Sequence, residues 1–160
     1  MTNKPLKIYS WDLTYTTISL ATDAFPLNIG YIASYCKAKF GEDVEIQLFK
    51  YIDEIDDVIT SSPPDVLALS NYTWNHNVSY EIFTMLKKSN PDGITVWGGP
   101  NFPNDMKSQI KFMNDFPYVD VYVPGEGEIG FSNIINRIFE INSAIRENLK
   151  ITHSGTAESI

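Results

Sequence analysis

The 160-residue chain contains one cysteine and two histidines. A lone thiol cannot close an internal disulfide, and so few soft donors leave no zinc or iron–sulfur site made from protein side chains alone. Basic residues are scarce as well: 12 Lys and Arg against 20 Asp and Glu give a formal net charge of −8. Nucleic-acid binding relies on clustered Lys and Arg to neutralise phosphates, and no cluster is present. The same deficit excludes a polybasic membrane anchor. No apolar run approaches the roughly 18 residues of a membrane span, and "MTNKPLKIYSW" lacks the long apolar core of a signal peptide. A cytoplasmic setting is the expectation.

What is present reads as one globular domain. A hydrophobic fraction of 43% with 20% charged residues is ordinary for such a chain. Five short apolar runs recur, at Leu6–Trp11, Val44–Phe49, Val66–Ser70, Ile94–Trp97 and Val119–Val123. Each is too short for a stable helix and is bounded by polar, Gly or Pro residues, as buried strands are. Between them lie amphipathic stretches. In "PLNIGYIASYCKAKFG", Ile29, Ile32, Ala33, Cys36 and Phe40 share one helical face, with Pro26 suited to the first turn and Gly41 to the stop. In "NVSYEIFTMLKKSNP", Val78, Ile82, Met85 and Leu86 share another, with Lys87 and Lys88 at the negative end of the dipole. "IGFSNIINRIFEINSAI" aligns Phe131, Ile134, Ile135, Ile138 and Ile145, and helices are expected around Asp53–Thr60 and Asn104–Asn114.

The alternation is β-α repeated five times. Apolar strands joined by helical crossovers predict an α/β, Rossmann-like and flavodoxin-like three-layer sandwich, with a doubly wound parallel sheet of order 2-1-3-4-5. The domain is expected over residues 1–146. "NLKITHSGTAESI", residues 147–160, reads as a polar tail or the start of a linker to a further domain.

In such a sheet ligands bind outside the carboxyl ends of the strands. Four loops there are unusual. Trp11–Phe25 is much longer than the roughly 2–6 residues of a common βα loop, which suits a binding loop or lid. "SNYTWNHN", Ser70–Asn77, crowds hydroxyls, amides and aromatics together. "VWGGPNFP" ends a strand in two glycines, where one would serve a turn; a second lets another group approach bare backbone. "VPGEGEIG" closes the fifth strand. Each also has a plainer reading. The glycines serve turns, Glu126 and Glu128 favour the positive end of the last helix, and Asn75 and Asn77 suit helix caps. Tyr72 and Trp74 could cap the core. Cys36 shares a buried face and reads as inert packing. His76 is the one histidine near the cleft, and a loop-bonded imidazole is favoured over a metal ligand.

Catalytic signatures are missing: no nucleophile–histidine pattern, no P-loop lysine, and no G-x-G-x-x-G after the first strand. The chain reads as a binding domain that is not catalytic alone.

Four segments in order resemble the N-terminal cobalamin-binding domain of cobalamin-dependent radical S-adenosylmethionine enzymes. They are "FPLNIGYIASYCKAKFG", "PDVLALSNYTWN", "VWGGPNFPND" and "VDVYVPGEGE". The resemblance implies cobalamin as cofactor, bound base-off with its nucleotide tail threaded into the carboxyl edge of the sheet. It places binding residues at Asp12, Leu13 and Thr14 in the first loop, and at Ser70, Asn71, Tyr72 and Trp74 in the third. It adds Gly98, Gly99, Pro100 and Asn101 in the fourth, and Gly125, Glu126 and Gly127 in the fifth. The D-x-H-x-x-G motif of many cobalamin domains is absent, since the loop reads "DLTYTTISLATDAF", so no histidine ligates cobalt from there. The family's C-x-x-x-C-x-x-C motif is absent too. S-adenosylmethionine and a 4Fe-4S cluster therefore belong to a radical S-adenosylmethionine domain outside this chain, for which this module would present cobalamin for methyl transfer.

Two other readings compete. A flavodoxin-like electron carrier would hold flavin mononucleotide with "TYTTIS" as phosphate loop and Trp74 and Phe102 beside the ring, although that loop lacks the glycine and immediate helix start that phosphate needs. A domain without ligand would serve only for protein docking.

Overall fold

The computed structural model describes residues 4–13, 26–53 and 55–154. Five parallel strands form one sheet: β1 (Leu6–Trp11), β2 (Val44–Phe49), β3 (Val66–Ser70), β4 (Ile94–Gly98) and β5 (Val121–Val123). Their order is β2-β1-β3-β4-β5, as the βα alternation predicts. The connecting helices are α1 (Leu27–Phe40), α2 (Ile55–Ser61), α3 (His76–Ser89), α4 (Met106–Asp115) and α5 (Gly127–Ser154).

Side chains alternate across the sheet, so each strand feeds two cores. Tyr9, Trp11, Leu69 and Trp97 pack with Ile59 of α2 and Phe83 and Leu86 of α3, and Phe112 of α4 joins them. Ile8, Val66, Val96 and Val123 pack with Cys36 of α1 and Phe131 and Ile135 of α5. The strand register sorts these residues into rows. Phe49, Trp11, Leu69, Trp97 and Tyr122 are consecutive partners across all five strands on the α2–α4 face. On the α1/α5 face, Leu48, Ser10, Ala68, Val96 and Val121 form the equivalent row, and Ser70, Gly98 and Val123 form a shorter row above it.

Two local expectations are corrected. Asn75 occupies the N-cap position of α3 but makes no side-chain cap bond. Its carbonyl accepts from the Tyr72 N–H at 2.8 Å and its amide donates to Ser70 Oγ at 3.0 Å. Ile145 is exposed, as is Ile141, because α5 outruns the strands it covers and its last buried core residue is Ile138. The backbone of α5 is helical as far as Ser154, into the stretch read as a polar tail or the start of a linker. Cys36 is fully buried, and burial pushes its thiol up to about 11, against a smaller opposing pull from Lys39. It is a packing residue, as its helical position implies.

Candidate functional site

Where the strands end, the α1/α5 face does not close. A cavity of about 400 Å³ opens between α1, the carboxyl ends of β1, β3, β4 and β5, and the start of α5. Ser10, Ala68 and Val96 lie at its floor, with Ser70 and Gly98 one row nearer the mouth. Ile29 and Ile32 of α1 and Phe131 of α5 supply apolar walls. Cofactor sites commonly hold about 300–1,000 Å³, mostly apolar with few polar groups, and this cavity has that character.

The two adjacent glycines serve different ends. At Gly99 φ is +125°, and a Cβ there would lie 2.8 Å from the Asn71 carbonyl oxygen, so the turn itself demands glycine. Gly98 has no such constraint. A Cβ on it would meet only the Val123 carbonyl at 3.7 Å, an ordinary contact. What its missing side chain leaves open is the cavity.

Ser70 Oγ donates to Asp12 Oδ1 at 2.6 Å and accepts from Asn75 Nδ2. Asp12 thus braces the rim without lining the cavity. Tyr72 lines the mouth, its hydroxyl accepting from Asn28 Nδ2 at 3.3 Å, which ties the third loop to α1. Trp74 is 60% exposed and stacks on Tyr72 with ring centroids 4.4 Å apart and planes 6° from parallel. It therefore does not cap the core. Pro100, Gly125, Glu126 and Gly127 also line the cavity.

Other expected residues turn away. Leu13 is buried with Trp11 and Tyr9 in the aromatic core and faces the opposite side of the sheet. Thr14 lies outside the described residues. Asn71, fully buried, anchors a polar network behind the cavity wall. Its amide donates to the Asn101 carbonyl at 3.2 Å and to Tyr122 Oη at 3.3 Å, while its own carbonyl accepts from Asn101 Nδ2 at 3.2 Å. Burial pushes the Tyr122 phenol up to about 12, with Asn71 opposing, so it stays neutral and donates to the Gly99 carbonyl at 3.0 Å. Asn71 and Asn101 clasp the glycine turn and do not line the cavity.

His76 completes that network. Its Nδ1 lies 3.0 Å from Asn71 Oδ1 and 3.4 Å from Asn101 Nδ2. The ring stacks on Trp97 at 4.7 Å and meets Phe116 edge-on. Burial lowers its pKa and favours the neutral imidazole. It points into the aromatic face, away from the cavity. Among the described residues no group of three or more His, Cys, Asp or Glu could hold a metal ion.

Ser10 was not singled out by the sequence. Its side chain is only 6% exposed, lines the cavity, and has no hydrogen-bond partner among the described residues. The available signal was parity: in "KIYSW", Ser10 shares a face with Ile8, opposite Tyr9 and Trp11.

An apolar slot with isolated polar groups, opening at the carboxyl edge of a doubly wound sheet, defines a cofactor-binding domain. Gly98's missing side chain leaves room in that slot for a flat, mostly apolar group. The chain belongs to the B12 binding domain family, whose model matches residues 14–135, and its cofactor is cobalamin. The chain is 32% identical over 116 residues to the cobalamin-dependent radical SAM methyltransferase TokK of Streptomyces tokunonensis, covering 69% of this chain and 16% of that protein. It is 32% identical over 120 residues to 2-(S-pantetheinyl)-carbapenam-3-carboxylate methyltransferase of Streptantibioticus cattleyicolor, covering 72% and 17%. It thus spans about a sixth of the length of either relative.

Among solved structures, the pilus assembly protein CpaE from Caulobacter crescentus CB15 superposes with a TM-score of 0.55 at 12% identity, covering 82% of this chain and 98% of that one. An adenylate cyclase from Rhodopirellula baltica gives 0.54 at 15% identity, covering 91% and 98%. These likenesses concern the fold alone. No helix among the described residues is long and apolar enough to cross a membrane.

Proposed function

We propose that this domain is the cobalamin module of a radical S-adenosylmethionine methyltransferase-like enzyme, and that it holds the cofactor base-off with the nucleotide tail in the α1/α5 cavity. The observation that carries this reading is Gly98, a glycine that neither its backbone conformation nor its protein neighbours require, opening directly on the slot. Ser70, Gly98 and Gly99 flank the tail, Gly125, Glu126 and Gly127 form the opposite wall, and Pro100 lies at the entrance. Asp12, Asn71 and Asn101 position those walls from behind.

The first loop has no histidine to reach cobalt. His76 and Asn71 bond each other on the far face. We infer that the lower face of the cofactor rests on the Tyr72–Trp74 stack, without a histidine ligand. When bound, cobalamin supplies a transferable methyl group on its upper face. This chain's residues bind and orient it, for a radical S-adenosylmethionine domain that also carries the 4Fe-4S cluster. The two methyltransferase relatives support that partner, and a cytoplasmic location belongs to the same proposal.

The test is a visible-absorbance titration with hydroxocobalamin, with flavin mononucleotide run in parallel. Saturable binding with a shift to the base-off spectrum is expected. Binding without that shift would overturn the tail-in-slot mode, and flavin fluorescence quenching in its place would overturn the whole reading.

A further inference from the structure

We propose that Tyr122 is a positioning residue that sets the width of the cofactor slot, by tying its two walls together from behind. This rests on the reading that the nucleotide tail occupies the α1/α5 cavity, which Tyr122 itself does not line. Tyr122 is the middle residue of β5, an edge strand of 3 residues paired only with β4. That strand runs on into Gly125, Glu126 and Gly127, one wall of the cavity. The other wall is the turn after β4, at Gly98, Gly99 and Pro100. The Tyr122 side chain packs on the α2–α4 face, and its hydroxyl donates to the Gly99 carbonyl at 3.0 Å. Its ring stacks on Phe102, further along the same loop, with centroids 3.9 Å apart and planes 13° from parallel. One side chain of the fifth strand thus grips the fourth loop at two points.

That loop has little conformational preference of its own, because it opens on two successive glycines and Gly99 sits at φ +125°. The Gly98 carbonyl is held by the Asn71 N–H at 2.6 Å. The Gly99 carbonyl has only the Tyr122 hydroxyl among the described residues. Asn71 Nδ2 donates to the same phenol oxygen at 3.3 Å, which leaves the phenol proton for Gly99. The sheet ladder aligns β4 with β5 as far as Gly98 and Val123. Beyond that pair, the Tyr122–Gly99 hydrogen bond is what joins the turn to β5 among the described residues. A wall already fixed at its bound spacing spares an incoming ligand the cost of ordering it.

The experiment measures affinity of the 160-residue chain for hydroxocobalamin and for diaquocobinamide, which carries the corrin ring but no nucleotide tail. Wild type, Tyr122→Phe and Phe102→Leu are compared. The wild-type chain should prefer cobalamin. Tyr122→Phe keeps the ring but releases Gly99, and should weaken cobalamin about fivefold while leaving cobinamide unchanged. Phe102→Leu keeps the hydroxyl but loses the stack, and should weaken cobalamin about twofold. If wild type binds both corrinoids equally, the tail does not use the slot and both readings fall. If wild type prefers cobalamin and Tyr122→Phe keeps the full preference, only the role of Tyr122 falls. Equal weakening of both corrinoids by Tyr122→Phe would mean a general structural defect and would also overturn it. Should Tyr122→Phe fail to fold by circular dichroism, Phe102→Leu decides alone, and a full preference for cobalamin there overturns the role of Tyr122.

Discussion

On the α2–α4 face of the sheet, Phe49, Trp11, Leu69, Trp97 and Tyr122 stand in register, with Trp11 and Phe49 stacked at 4.0 Å. On the α1/α5 face, the residues alternating with them toward the carboxyl ends are Ser10, Ala68, Ser70, Val96 and Gly98. The same strands therefore carry large rings outward on one side and small groups on the other. Bulk packs against three helices; the small groups leave a cavity under two. One face is filled by large side chains, and the other, above its own core, leaves room.

The largest expected effect comes from removing bulk. Trp97→Ala should lower the free energy of unfolding by about 3–5 kcal/mol, read by chemical denaturation, because a fully buried ring in contact with six aromatic rings is lost. The reciprocal change adds bulk to the small face. Gly98→Val should cut cobalamin affinity about a hundredfold in a spectral titration, while unfolding stays within about 1 kcal/mol of wild type. If both variants lost stability alike, the division of labour between the faces would be wrong.

Gly99→Ala sharpens the contrast within a single dipeptide. Its Cβ would press on the Asn71 carbonyl at a φ that side chains rarely adopt, so stability should fall by about 1–3 kcal/mol. Gly98→Ala, by comparison, should fold normally.

The smallest effect concerns His76. Burial depresses its folded pKa, so the unfolded chain binds a proton first as pH drops below about 6.5. Stability present above that pH is lost as pH falls toward the folded pKa. His76→Gln should flatten this part of the melting-temperature profile relative to wild type. The same variant should leave the visible spectrum of bound cobalamin unchanged, whereas a changed spectrum would restore His76 as a cobalt ligand.

The fold was legible because parallel strands buried on both faces must be short apolar runs, and right-handed crossovers leave few orders. The carboxyl-edge loops after β4 and β5 were legible from their glycines. Parity was the harder part. Ser70 and Asn71 are adjacent, yet one side chain faces the slot side and the other the aromatic side. Leu13, two residues after Trp11, follows it into the core. The placement of Asn71 and Leu13 was not legible from their loops alone, because strand alternation persists a residue or two past the last ladder bond. The walls from α1 and α5 were not legible at all, since Ile29, Ile32 and Phe131 look like any core face until the helices are seen to straddle an opening.

The alternation has a consequence for how such a domain can diversify. Neighbouring positions on one strand meet different physical demands, so Ser10, Ala68 or Gly98 can change the shape of the cavity while Trp11, Leu69 and Trp97 keep the fold above its stability threshold. Change of ligand and retention of fold are separated by one step along the backbone. Libraries that randomise only Ser10, Ala68 and Gly98 should accordingly yield far more folded members than libraries that randomise Trp11, Leu69 and Trp97.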